Sequence, residues 1–150
     1  MALVAHARPE ARERRLNAPW APPAAVNGIC LLVAGALRAT LPGAEFTLAW
    51  DHSVEKVEWR ERYVVAAGQL HLVEARVAGS GAGMEAPPGA KLSGGTWTWA
   101  PDGAPLPELR LTFSRFTRDY RLCSGARCTT LGELAAPLAD GDVVTVRACE

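Results

Sequence analysis

The chain reads as an all-β protein: a small single-domain β-sandwich or partly open barrel of about eight short, mostly antiparallel strands. Three observations predict this. From residue 28 onward, short apolar or alternating runs are separated by Gly, Pro and Asp. Side chains alternate with a period of two in "EFTLAW" (Phe46, Leu48, Trp50), "TWTW" (Trp97, Trp99) and "LRLTF" (Leu109, Leu111, Phe113). No stretch sustains a long helix. "SGAGMEAPPGAKLSGG" and "APDGAPLPE" break the chain repeatedly, and only "TLGELAAPLA" has room for one helical turn.

The elements follow in order. Residues 1–27 lack periodicity and are rich in Ala, Pro and Arg, which predicts a poorly ordered extension ahead of a β domain over 28–150. "GICLLVAGAL" (28–37) is the longest apolar run. It is too short to span a bilayer, which takes roughly 20 residues, and Arg38 follows it at once. A lipoprotein attachment at Cys30 needs a small residue just before it, where Ile29 stands. Residues 28–34 therefore read as a buried strand. Further strands are predicted at 44–51, 56–66, 69–78, 95–100, 108–114, 118–123, 127–131 and 142–148, and the tryptophans read as packing residues. The length of 150 residues suits one domain with a sizeable core. Formal net charge is zero, and no basic stripe with interleaved aromatics appears, which argues against nucleic-acid binding.

Four cysteines occur. "CSGARC" separates Cys123 from Cys128 by a Gly-containing spacer that can turn and join the two thiols. Cys30 and Cys149 lie in the first and last apolar segments and can bridge if those segments are neighbours. Two cystines would favour an oxidising compartment. No second close Cys or His pair completes a zinc site, and no metal or other cofactor is expected.

The most charged stretch is "WDHSVEKVEWRERYVV" (50–65). A two-residue loop at Ala67-Gly68 would pair 57–65 with 69–77, Gly68 supplying a positive φ. Regular pairing then sets Val65 against Leu70, Tyr63 against Leu72, Glu61 against Glu74 and Trp59 against Arg76. The more aromatic face, with Trp59, Glu61 and Tyr63, should be the inner one. Two carboxylates directly opposite repel, so a shared proton, Arg76 or an outside cation would have to relieve them. A bulge is the alternative, since one residue of slip sends one Glu to solvent. His52 and Ser53, with Glu55 nearby, fall where strand 44–51 ends. Adjacent residues on a strand point opposite ways, so His52 is not placed to activate Ser53. The glycines of "GSGAGM" (Gly79, Ser80, Gly81, Gly83) permit backbone N–H groups to converge on an anion, or simply turn the chain.

"FTLAWDHSVEKVEWRE", an aliphatic strand carrying a Glu, "GSGAGMEAPPGA", and the later Leu106-Pro107, Leu109, Leu111, Leu122-Cys123 and Cys128 resemble a bacterial family of small proteins of unknown function. Genes of that family commonly lie beside permease genes of tripartite ATP-independent periplasmic (TRAP) transporters of the TAXI type. The resemblance covers about 28–131, and the HSVEK and GSGAGM motifs are specific together. By position it picks out His52, Ser53, Val54, Glu61, Gly81 and Gly83. It departs at Asp51, where relatives usually have Thr, and at Tyr120-Arg121-Leu122, where they have Trp-x-Leu.

The resemblance implies an accessory role in solute transport, in the periplasm or on a membrane facing it, with a cytoplasmic location as the alternative. The partner would be the permease or its solute-binding protein, and the ligand a small organic acid. Candidate ligand-binding residues are His52, Ser53, Glu55, Glu61, Glu74, Arg76, Gly79, Ser80, Gly81 and Gly83, with no catalytic or metal-ligating residue assigned. Two other readings compete. One is a small hydrolase-like enzyme using His52 with Glu61 and Glu74 as acid–base groups. The other is a structural polar cluster with no ligand.

Overall fold

A computed structural model describes residues 28–52, 57–79 and 86–150. The expectations placed on residues 1–27, on Ser53 and Glu55, and on Ser80, Gly81 and Gly83 lie outside these residues.

The strands are β1 (Gly28–Val33), β2 (Ala36–Pro42), β3 (Glu45–Asp51), β4 (Glu58–Ala66), β5 (Gln69–Ala78), β6 (Lys91–Ser93), β7 (Thr96–Trp99), β8 (Leu109–Thr112), β9 (Arg121–Ser124), β10 (Arg127–Thr130) and β11 (Val143–Ala148). One short helix, α1 (Leu131–Leu134), follows β10. The Thr130 hydroxyl caps it by accepting from the Glu133 N–H at 3.3 Å. No helix among the described residues is long and apolar enough to cross a membrane.

The strands form two antiparallel sheets. One has four strands in the order β2-β1-β11-β8, the other seven in the order β10-β9-β3-β4-β5-β7-β6. Period-two apolarity explains their inner faces. Ile29, Leu31 and Val33, with Leu111, Val144 and Val146, come from the smaller sheet; Phe46, Leu48, Tyr63, Leu70 and Leu122 come from the larger. Leu131 and Ala135 complete the same cluster. Full burial of each large apolar side chain is worth about 1.5–3 kcal/mol, whereas an exposed ion pair gives about 0–1 kcal/mol. The core between the sheets, rather than the charges outside, therefore holds the fold. Among the described residues, no polar or charged side chain is fully buried.

The predicted all-β class and the two cystines are present. Cys123 and Cys128 face each other across the β9–β10 hairpin and are bonded. Cys30–Cys149 spans 119 residues and ties β1 to the end of β11, because those strands are neighbours.

Two strands were not anticipated. β2 is an edge strand whose Ala36, Leu37 and Arg38 are exposed, so it shows little apolar alternation. Its hairpin turns at Ala34 (φ 49°) and Gly35 (φ 79°), inside the apolar run. β6 is three exposed residues at an edge of the larger sheet.

The register of the charged hairpin needs correction. The turn at Ala67-Gly68 is as predicted, with positive φ at both residues. Val65↔Leu70 and Tyr63↔Leu72 pair as predicted. The ladder then shifts: Arg62 pairs with Glu74, Glu61 with Ala75, Arg60 with Arg76 and Trp59 with Val77. Val73 is the extra residue of a β-bulge, and one inserted residue reverses the facing of everything beyond it. Ala75 and Val77 become buried, and Glu74 joins the outer face. The expected pairings Glu61–Glu74 and Trp59–Arg76 do not form, so the two carboxylates no longer oppose each other, while Arg60 and Arg76 do.

Candidate functional site

β3 carries Leu48 and Trp50 inward and Thr47 and Ala49 outward, and it ends at Asp51 and His52. The His52 N–H donates to the Val57 carbonyl at 2.9 Å, fixing the chain end. Beside this end runs residues 113–120, which connect the two sheets between β8 and β9. Between them lies a cleft of about 660 Å³, lined by Trp50, Asp51, His52, Thr112, Phe116, Thr117, Arg118 and Tyr120.

Aromatic contacts back the cleft. Trp50 stands 6.3 Å from Tyr120 at 55°, and it stacks on Trp59 across β3–β4 at 6.0 Å and 15°. Trp59 in turn meets Trp99 edge-on at 6.2 Å. Such a row holds its members in fixed orientation through offset and edge contacts.

Charge is organised along a chain of ion pairs. Arg118 Nη1 donates to Asp51 Oδ2 at 2.9 Å, and Arg121 Nη2 donates to Asp51 Oδ1 at 3.3 Å. The same Arg121 nitrogen reaches Glu58 Oε2 at 3.3 Å, and Arg60 Nε donates to Glu58 Oε1 at 2.5 Å. Asp51 and Arg121 are mostly shielded, at 15% and 20% side-chain exposure, while Arg118 is 75% exposed. Asp51 thus serves as an anchor that holds the Arg118 guanidinium at the cleft.

The described candidate residues fall in separate places. His52 is exposed and lines the cleft. Glu61 lies on the inner face, opposite Leu48 and Ala75, and accepts a hydrogen bond from the Tyr63 hydroxyl. Four residues, roughly 13 Å of extended chain, separate His52 from Leu48, so Glu61 is not beside the imidazole. Glu74 and Arg76 lie on the opposite face, joined at 2.7 Å. With Thr47, Arg60 and Arg62 they line a smaller recess of about 220 Å³. Gly79 (φ 84°) ends β5, where its N–H donates to the Gly95 carbonyl at 2.7 Å. Among the described residues, no three His, Cys, Asp or Glu side chains are grouped to hold a metal ion.

Tyr63 is strongly perturbed. Its phenol is raised well above the ordinary value near 10, first by burial and then by the hydrogen bond and charge of Glu61.

Sequence reasoning missed Trp50, Asp51, Thr112, Phe116, Thr117, Arg118 and Tyr120 as lining residues. "FSRFTRDY" (113–120) holds the available signal, a loop dense in aromatic and charged residues between two short strands.

No curated protein and no solved structure matches the chain. A family model described as a domain of unknown function, DUF1850, matches residues 46–131. That span runs from Phe46 in β3 through β10 and contains all eight residues lining the cleft. The chain belongs to the DUF1850 family of domains of unknown function.

Proposed function

We propose that this domain is a non-enzymatic binding module that takes a small organic acid in the cleft at His52. In this reading it serves a TRAP-type solute transport system, by contact with the permease or the solute-binding protein. The cleft itself carries the reading: a concave, largely preformed site with an aromatic wall and a few convergent polar groups is the usual form of a small-molecule site. An exposed guanidinium and an imidazole beside it supply donors for a carboxylate. The transport setting is what the resemblance of the HSVEK and GSGAGM motifs implies. Both cystines are compatible with the periplasm.

The hydrolase reading finds less support, because Glu61 and Glu74 lie on opposite faces of the sheet. For Glu61 a structural role is favoured by one contact, the hydrogen bond from Tyr63.

Two measurements test the proposal. Calorimetric titration with a panel of small carboxylic acids should find a binder that His52→Ala weakens about tenfold without loss of fold. A tagged protein should also bring down the permease or the solute-binding protein from membranes. No binder in the panel and no transporter subunit in the pull-down would refute the reading.

A further inference from the structure

We propose that the occupant of the cleft is an aromatic monocarboxylic acid. Its ring would lie among Trp50, Phe116 and Tyr120, and its carboxylate on the guanidinium of Arg118. This rests on the binding-module reading above and narrows it to one chemical class.

Phe116 is the first observation. It is 88% exposed, the most exposed large apolar side chain among the described residues, yet it lines the cleft. It contributes little to the core. Its backbone is nonetheless held in place. The Phe116 N–H donates to Ser114 Oγ at 3.2 Å, and the neighbouring Arg115 N–H donates to Asp140 Oδ1 at 2.9 Å. The Phe113 N–H donates to the Asp142 carbonyl, and Phe113 O accepts from Gly141. At the far end of the loop Arg118 is tied to Asp51. A fixed backbone that presents a bare phenyl ring to a cleft is a preorganised contact for an apolar ligand.

The second observation is the rest of the aromatic lining. Trp50 and Tyr120 are locked by the row that continues through Trp59 to Trp99. An aromatic ring packs on such side chains better than an aliphatic chain does, because offset and edge contacts add to area burial.

The third observation is charge. The chain Arg118–Asp51–Arg121–Glu58–Arg60 holds three guanidiniums against two carboxylates. Of these, Arg118 is the guanidinium that lines the cleft, and it is 75% exposed. Arg118 uses Nη1 for Asp51, and a guanidinium has five N–H donors, so it retains donors for the ligand. Thr112 and Thr117 add hydroxyls to the lining.

The test uses 3-phenylpropionate, its neutral amide 3-phenylpropionamide, and succinate, each titrated calorimetrically and by tryptophan fluorescence. The full-length protein is compared with Phe116→Ala and Arg118→Gln. Both side chains are largely exposed, and circular dichroism should show both variants folded. 3-Phenylpropionate should bind and change tryptophan emission. Phe116→Ala and Arg118→Gln should each weaken it about tenfold or more, and the amide should bind at least tenfold more weakly than the acid. If succinate binds and 3-phenylpropionate does not, the aromatic assignment is wrong and the organic-acid module survives. Binding of 3-phenylpropionate that neither variant weakens would place the ligand elsewhere and overturn the assignment. If none of the three binds, the assignment fails, and the wider carboxylic-acid panel decides the module separately.

Discussion

Tyr63 donates its phenolic proton to Glu61 on a face that is otherwise apolar. That contact gives a half-buried carboxylate a partner without a second acid or a metal. Tyr63→Phe should remove about 1–2 kcal/mol of stability at pH 7, because Glu61 keeps its desolvation and loses its donor. The pH dependence has a definite sign. The folded phenol titrates well above its ordinary value near 10. Below that value both folded and unfolded chains hold the proton, and the full contribution is present. Above it the unfolded chain releases a proton that the folded chain keeps, so stability falls as pH rises past about 10. Denaturant unfolding at pH 8 and pH 10.5 checks both points: wild type should lose more stability between them than Tyr63→Phe does. An equal loss in the two proteins would deny Tyr63 this role. In the neighbouring chain of ion pairs, Asp51 meets Arg118 and Arg121, and Glu58 meets Arg121 and Arg60.

The β4–β5 hairpin shows how far local pattern reaches. Its turn was legible, because Ala67-Gly68 sits between two alternating runs. Its far half was not, because Val73 gives no sign in the sequence that it is the extra residue. The bulge is settled by burial: it places Ala75 and Val77 inside and Glu74 outside. Edge strands β2 and β6 were missed because exposed strands need no apolar alternation. Two of the tight hairpins put an alanine at positive φ, Ala34 at 49° and Ala67 at 52°. An L-residue with a Cβ is strained there, and Asn tolerates the conformation better. Ala67→Asn should therefore stabilise the protein by about 0.5–1 kcal/mol, visible as a higher urea midpoint with unchanged slope. A lower midpoint would mean that the turn is not the strained element described.

One core joins the two sheets, and each sheet carries within it one covalent link, the two links being of very different reach. In the chain-entropy account, removing a bridge that closes a loop of more than 100 residues costs about 4–5 kcal/mol, and removing one that closes a short hairpin costs about 2 kcal/mol. Cys30→Ser with Cys149→Ser should thus lower stability more than Cys123→Ser with Cys128→Ser, as measured by chemical denaturation of the two double variants. Equal losses would point to native-state contacts, rather than chain closure, as the source of the effect.

By itself the sequence determined that this is an all-β protein, where most of its strands run, and on most of those which apolar side chains turn inward, the far half of β5 being the exception. Those properties are local, since a strand alternates its side chains every residue and burial selects one face. Tertiary structure alone decided which elements far apart in the chain meet. Leu48 pairs with Leu122 only because β9 returns to lie beside β3. That pairing brings the 113–120 loop to the end of β3 and makes a cleft from residues on both. A single unpaired residue, Val73, separates Glu74 from Glu61. Period and composition cannot encode either outcome, because both depend on strands chosen from a distance and on a register that one residue reverses.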